Sequence, residues 1–556
     1  MAVPLLPVLT ALLLIGTAFF LFPFLFRYTL QTIGSHVRSR TLSRRQILRA
    51  RANADAKSAS SFASSAHTSI DSEWQKIEND NNNNNNTRSN ADRDWDGVVG
   101  FFHPFCNAGG GGERVLWAAI KATQERWPNA LCIVYTGDHD ADKDGMLERV
   151  KTRFNIVLYA PRLTFLYLST RRYVLASTWP HFTLLGQSLG SLLLAYDAFN
   201  LLVPDIFVDT MGYAFALALC KLLFLDVPTA AYVHYPTIST DMLGTLDDEV
   251  AGRGANAGLG RGWRGQLKRR YWHFFAYLYS RVGGSIDIVM TNSSWTQGHI
   301  RTLWGPFRRR LREKDDIAVV FPPVAVAELE EAIPVDQESE KERGPYCVYI
   351  AQFRPEKDHT LILTAFAEYF HSLPSSPGSS SGGGGSSMSA TPPRLVLIGS
   401  VRDDSDEKRV YKLRLLAREL HIQDAVDFVI NASWPQILAW LRKASVGVNG
   451  MWNEHFGIGV VEYQAAGLVS VVNDSGGPKC DIVVPVDGAP TGFHASTASE
   501  YARGFAKALN LPPDEALAMR RRARKSAKRF SEDVFAKAWI GQMEKLVVQL
   551  GTKSQL

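Results

Sequence analysis

Short apolar runs alternate with helix-spaced stretches in two successive series along this chain, which restricts it to folds built on parallel sheets. In the first series, 97–102, 131–136, 205–208, 229–233, 287–291 and 318–321 have the length and content of buried strands. Stretches between them, such as 113–126 and 212–224, carry helical periodicity. A charged segment at 328–343 breaks the pattern, which restarts at 346–351, 395–398, 426–430, 446–449 and 469–473. Two doubly wound α/β domains are therefore expected, at 95–330 and 331–530. Their ligands belong at the carboxyl ends of the strands, in the cleft between the domains. The 556 residues suffice for two or three full-sized cores. A final segment, 531–556, is expected to be a helix packing back on the first domain.

The N-terminus has the character of a membrane element. Residues 3–26 carry no charge over 24 positions, and a helix of that length spans about 36 Å against a hydrocarbon core of ~30 Å. No Lys or Arg precedes the run, unlike the basic start of a cleaved signal peptide. Arg38, Arg40, Arg44, Arg45, Arg49 and Arg51 follow it with no acid before Asp55, which assigns everything beyond to the cytosol. A single uncleaved anchor over 1–30 is expected, then a basic and low-complexity tether over 31–94 that contains the polyasparagine run 81–86. A Gly- and Ser-rich insertion at 372–393 forms a surface loop within the second domain. The apolar stretch 182–203 holds Gln187, Asp197 and Asn200, so it is expected to be a buried or membrane-touching helix, not a second span. The basic, aromatic stretch 301–314 is assigned to membrane contact, and 520–529 is similarly basic.

Five scattered cysteines with no Cys-x-x-Cys pair argue for reduced thiols and against disulfides or a zinc site. A net charge of +6 makes no case for a nucleic-acid partner. Asn292 and Asn431 begin glycosylation sequons, which a cytosolic domain would not present for modification.

The chemistry concentrates in four segments. Glu454 and Glu462 bracket Phe456, Gly457 and Ile458, where a helix begins. Such a start offers amide donors and a positive dipole end suited to phosphate, while the flanking acids accept from hydroxyl groups. Eight helical residues rise about 12 Å, too far for the carboxyl pair of a glycosidase, which needs about 5–9.5 Å. Arg354 and Lys357 follow a strand, where two cations would neutralise a leaving diphosphate. Gly109, Gly110, Gly111 and Gly112 lie between a strand and a helix, letting backbone approach a ligand closely. They match neither the dinucleotide fingerprint nor the triphosphate loop. Gly476 and Gly477 form another loop placed to face the same cleft. Residues 138–145 imitate a calcium loop, but Lys151 stands where a bidentate Glu is needed, so no metal is expected.

Together these residues resemble the retaining glycosyltransferases of the GT-B fold that use a Glu-x7-Glu motif. The resemblance spans about 95–550, with the glycine loop, the Arg-x-x-Lys segment and the two glutamates in the family's order. Longer strings (103–114, 209–213, 232–243 and 451–459) are similar to the GDP-mannose-dependent alpha-1,2-mannosyltransferases of dolichol-linked oligosaccharide assembly. The resemblance implies two Rossmann-like domains facing across a cleft, with GDP-mannose as donor and no cofactor. It implies addition of the fourth and fifth mannoses to dolichol-diphosphate-linked Man3GlcNAc2 at the cytosolic face of the endoplasmic reticulum membrane. Other mannosyltransferases of the pathway would be candidate partners. Glu454 would hold donor mannose hydroxyls, Glu462 the ribose, and Arg354 with Lys357 the diphosphate. Gly109–Gly112 would approach the reacting centre, and His234, after a strand, would contact the reacting sugars or the acceptor. Two alternatives stand beside this: N-acetylglucosamine transfer to phosphatidylinositol, and a catalytically silent subunit of the same fold. The intact Glu454, Glu462, Arg354 and Lys357 weigh against the second.

Overall fold

The computed structural model describes residues 5–63, 95–244, 262–308, 317–374 and 391–553, with side chains described over 22–59 of the first helix and up to 551 of the last. The polyasparagine run, most of the 372–393 insertion and the basic residues 309–314 lie outside the described residues.

The chain divides into two units. One comprises the residues up to Thr291, Gly298–Ala318 and the chain from Ala536 on; the other comprises Asn292–Gln297 and Val319–Phe535. The N-terminal unit carries a seven-stranded sheet in the order β3-β2-β1-β4-β5-β6-β7. Its strands are β1 (Val98–Phe102), β2 (Leu131–Thr136), β3 (Leu163–Tyr167), β4 (Ile206–Asp209), β5 (Thr229–Val233), β6 (Ile288–Thr291) and β7 (Ile317–Val319). The C-terminal unit carries six strands in the order β10-β9-β8-β11-β12-β13. These are β8 (Gly344–Ile350), β9 (Arg394–Gly399), β10 (Val426–Ile430), β11 (Ala444–Asn449), β12 (Val469–Asn473) and β13 (Gly492–Ala495). Strand order reverses between β1 and β4 in one sheet and between β8 and β11 in the other, and a doubly wound sheet opens a crevice at that point. Parallel register sets Phe102 beside Asp209 there.

Central strands such as β1 and β2 are buried along their whole length, because helices cover both faces of a parallel sheet. Alternation along β8 sends Val348 into the core with Phe456 and Val460, and Tyr349 into the opposite core with Ile362 and Phe366. The edge strands β3 and β13 are half-exposed and mix Thr and His with apolar residues. That weakens their signal, and neither belongs to the strand series expected from the sequence.

Helix α1 (Leu5–Ala63) takes up the first part, 31–63, of the expected 31–94 tether, whose remainder lies outside the described residues. Residues 31–63 are helical, and Val37, Thr41 and Ala52 are buried against the N-terminal unit. The arginines that suggested a juxtamembrane cluster are largely engaged. Arg38 bridges Asp226 at 2.6 Å, Arg44 donates to the Leu201 carbonyl at 2.8 Å, and Arg45 and Arg49 pair with Asp205 and Asp96. Gly34 brings α1 against the Leu223 carbonyl, where a Cβ would stand 2.1 Å away. Among the described residues no helix is long and apolar enough to cross a membrane. Most of the expected anchor lies outside the described side chains.

Helix α2 (Gly111–Arg126) follows β1, and α3 (Thr183–Leu201) covers the 182–203 stretch. The latter buries Leu194, Ala198 and Phe199 and leaves Leu189, Leu193 and Tyr196 exposed. Helix α4 (Glu532–Lys553) closes the chain. Its Trp539 is fully buried in the N-terminal unit, donates to Thr123 Oγ1 at 3.2 Å and stacks at 6.3 Å on Phe101.

Candidate active site

In the C-terminal unit, the loops after β8 and β11 meet at the switch point. Lys357 Nζ lies 2.6 Å from Glu454 Oε2, and Asn449 Nδ2 donates to the same oxygen at 3.3 Å. Lys357 ends a short 3-10 turn, Pro355–Lys357, anchored where Tyr349 donates its hydroxyl to the Lys357 carbonyl at 2.6 Å. The Glu454 side chain is only 14% exposed. Burial alone would raise its pKa, but the charge and hydrogen bond of Lys357, joined by His455 and Asn449, together hold it below the ordinary carboxylate value. Arg354 caps the same turn, with its side chain 40% exposed and its guanidinium 4.0 Å from Glu356. The structure thus joins Lys357 to Glu454 directly, while the contact it gives the Arg354 guanidinium is with Glu356.

The segment carrying Glu454 is irregular, with Asn453 at φ 53 and Gly457 at φ 106. Gly457 caps the helix Ile458–Ala465, and half-buried Glu462 sits in its second turn. The Phe456 ring packs into the core against Phe321 and Phe530 at 5.8 and 5.4 Å, and its backbone packs against Gly477. Gly476 and Gly477 support this segment from behind. A Cβ on Gly476 would stand 2.2 Å from the Glu454 carbonyl, and one on Gly477 would stand 2.5 Å from Phe456 Cα. The Gly477 amide donates to the Glu454 carbonyl at 2.7 Å, so it is spent on the protein itself. The sequence suggests a ligand contact for this pair; the geometry gives it backbone-to-backbone packing.

In the N-terminal unit the loop after β1 is organised by Glu113, a residue absent from the sequence-based candidates. This acid is 5% exposed and accepts from the Ala108 amide at 2.7 Å and from the Gly109 amide. Burial lifts its pKa, opposed by those amides. Gly109, at φ +75, faces the Arg153 guanidinium, which a Cβ would meet at 2.3 Å. Gly110 caps α2 and has open space where a Cβ would stand, and Gly111 is the first residue of that helix. A Cβ on Gly112 would lie 3.5 Å from His234 Nε2. The ring of His234 packs at 4.9 Å on Tyr232. Beneath them His103 Nδ1 lies 2.7 Å from Thr210 Oγ1, and burial followed by His234 lowers its pKa to about 3. Asp209, fully buried, accepts from the amides of Met211, Gly212 and Tyr213 at 3.1, 2.8 and 2.6 Å. Burial raises its pKa to about 7 against those donors.

Two of the four acids of the calcium-like stretch have structural partners: Asp138 pairs with Arg171, and Asp142 caps Lys143–Phe154. Two basic stretches turn inward in part. Arg308 is buried and donates to the Ile286 carbonyl at 2.6 Å, which removes it from the surface expected for membrane contact. Arg520 is likewise buried, on Glu340 and the Gly467 carbonyl.

Residues 96–304 match the family model for the ALG11 mannosyltransferase N-terminus, and 333–529 match that for glycosyl transferases group 1. The chain is 59% identical over 548 residues to the GDP-Man:Man(3)GlcNAc(2)-PP-Dol alpha-1,2-mannosyltransferase of Neurospora crassa, covering 97% of this chain and 96% of that one. It is 44% identical to the Mus musculus enzyme of the same name, over 81% of this chain and 87% of the relative. Among solved structures, the sucrose-phosphate synthase of Thermosynechococcus elongatus aligns with a TM-score of 0.54 at 15% identity, over 82% of this chain and 100% of that one. That likeness bears on the fold alone, two Rossmann-like domains of the GT-B type. With such identity sustained over most of its length, the chain belongs to the GDP-Man:Man(3)GlcNAc(2)-PP-Dol alpha-1,2-mannosyltransferase family.

Proposed function

We propose that this chain transfers mannose from GDP-mannose, in alpha-1,2 linkage with retention, to dolichol-diphosphate-linked Man3GlcNAc2, adding the fourth and fifth mannoses. The observation that carries the site is the 2.6 Å pair of Lys357 and Glu454 at the switch point of the C-terminal sheet. In this reaction the bond from mannose C1 to the diphosphate breaks, and a bond to the acceptor hydroxyl forms. Its proton passes to the departing phosphate. Negative charge grows on the diphosphate, so cations fixed beside it favour the transition state over the ground state. Lys357 and Arg354 fill that role, supplemented by the amide end of the helix at Ile458. Glu454, kept ionised by Lys357, accepts from mannose hydroxyls, and Glu462 accepts from the ribose. No metal is assigned to the reaction. In the N-terminal unit, Gly110–Gly112 and His234 supply an open backbone edge and an imidazole for the reacting sugars.

We also assign the apolar segment 3–26 to the endoplasmic reticulum membrane, with the catalytic units on the cytosolic side. The exposed Phe22, Phe24, Leu25 and Phe26, at 52–74% exposure, support this assignment, as does the absence of charge in the run. The test is incubation of Lys357→Ala and Glu454→Ala with GDP-mannose and a short-chain lipid-linked Man3GlcNAc2. Loss of transfer in folded variants supports the assignment of the site, and normal turnover removes both residues from it.

A further inference from the structure

Three consecutive residues of the Glu454 segment are each pinned through the backbone from outside. The Asn453 amide donates to Ser475 Oγ at 2.7 Å, and the Glu454 carbonyl accepts from Gly477 at 2.7 Å. The third pin comes from far away in the chain: Ser293 Oγ donates to the His455 carbonyl at 2.6 Å across 162 residues. Ser293 belongs to the short segment Asn292–Gln297, which is part of the C-terminal unit although the residues on both sides of it belong to the N-terminal unit. Within that segment Trp295 stacks on the His455 imidazole, with centroids 5.7 Å apart and planes at 10°. The Ser294 amide donates to Asp481 at 2.8 Å, which ties the segment to the short helical turn Pro478–Ile482 that follows Gly477. Ser293 is fully buried and Asp481 is 5% exposed, so these contacts are shielded from competing water.

We infer that Ser293 and Trp295 are positioning residues for donor binding, forming a strut that fixes the His455 backbone and ring and, through them, the Glu454 carboxylate. A hydroxyl can serve both ends of the strut, since its single proton goes to the His455 carbonyl while its lone pairs take the Thr296 amide at 3.1 Å. The Glu454 segment needs such support because its backbone occupies the left-handed region at Asn453 and Gly457. Without the strut, Glu454 would wander from the position where it meets a sugar hydroxyl. The inference rests on the proposed donor site, and the kinetics separate the two.

The experiment is steady-state transfer by the full chain, with KM measured separately for GDP-mannose and for a short-chain lipid-linked acceptor. Ser293→Ala is expected to raise the donor KM about tenfold, the effect of one lost buried hydrogen bond. The acceptor KM stays within about twofold of wild type, and Ser293→Thr, which keeps the hydroxyl, restores most of the loss. Trp295 is only partly buried, so Trp295→Leu provides a second probe of the strut should Ser293→Ala not fold. Its donor KM is expected to rise several-fold with an unchanged melting temperature. Wild-type donor KM in folded Ser293→Ala or Trp295→Leu, beside a dead Glu454→Ala, would overturn the strut alone. Full turnover by Glu454→Ala would overturn the site and the strut together.

Discussion

The Lys357 ammonium and the Glu454 carboxylate meet at 2.6 Å across 97 residues of chain. Each comes from a loop after a strand that borders the switch point, so the fold sets the pair and no local sequence context does. The pair is asymmetric in its chemistry. Lys357 is the group matched to a leaving diphosphate, and Glu454 is the group matched to a sugar. Lys357 also helps to keep Glu454 in the charged form that its role needs.

Because the two act as a unit, their losses should not add. Lys357→Ala and Glu454→Ala are each expected to lower kcat/KM by about 100-fold or more, and the double variant to lie close to the worse single. A double-mutant cycle in the transfer assay reads this; strictly additive losses would show two independent residues.

Glycine substitutions separate ligand approach from internal packing. Gly110→Ala meets nothing within 4 Å and keeps a compatible φ of −95, so its melting temperature should stay near wild type. Its transfer rate should nevertheless fall about tenfold or more if substrate passes over that backbone. Gly476→Ala, at φ +64 and 2.2 Å from the Glu454 carbonyl, should lower stability and donor binding together. Thermal melts beside kinetics distinguish the two patterns.

His359 gives the C-terminal unit an acid limit. Its ring lies between Tyr349 and Phe353, at 4.9 and 5.0 Å, and burial lowers its pKa from 6.5 to about 4. The unfolded chain therefore binds the proton more readily between those values, so unfolding free energy rises with pH there. The contribution is complete above pH 6.5 and is lost as pH falls towards 4. It amounts to roughly 3 kcal/mol. His359→Phe should flatten denaturation midpoints across that range, and an unchanged slope would contradict this source.

The last helix is expected to be essential to the N-terminal unit. Trp539→Ala leaves a large void against Phe101 and should cost about 3–5 kcal/mol. Urea titration of the variant checks it, with wild-type stability as the contrary result.

Truncations of α1 test its two parts. Removing 1–21 leaves the Arg38, Arg44, Arg45 and Arg49 contacts in place and should give a folded protein that transfers to a short-chain acceptor. Removing 1–63 uncovers the surface that buries Val37 and Ala52 and should sharply lower the melting temperature. Equal stability of both truncations would return 31–63 to the status of a tether.

The parts of the fold that can be anticipated are those whose signal is local. Strands such as β1, β2 and β12 are continuous apolar runs because both faces of a parallel sheet are covered. The edge strands β3 and β13 lack that pressure and mix polar with apolar residues. Helix α1 reads as a membrane anchor and tether because Arg38, Arg45 and Arg49 carry no sign in the sequence of Asp226, Asp205 and Asp96. Motif spacing points to Lys357 and Glu454, whereas the roles of Glu113, Gly477 and Ser293 depend on backbone atoms that no motif names. The segment 292–297 stands out in the sequence only as a glycosylation sequon, yet its serine holds the His455 carbonyl.

Donor choice and the role of the Lys357–Glu454 pair are read together by weighing the products of purified protein, a short-chain lipid-linked Man3GlcNAc2 and either GDP-mannose or UDP-sugars. GDP-mannose alone is expected to add one and then two hexoses, removable by an alpha-1,2-specific mannosidase. Neither product is expected with Lys357→Ala or Glu454→Ala. Transfer from a UDP-sugar instead, or undiminished hexose addition by both variants, would contradict the proposed donor site.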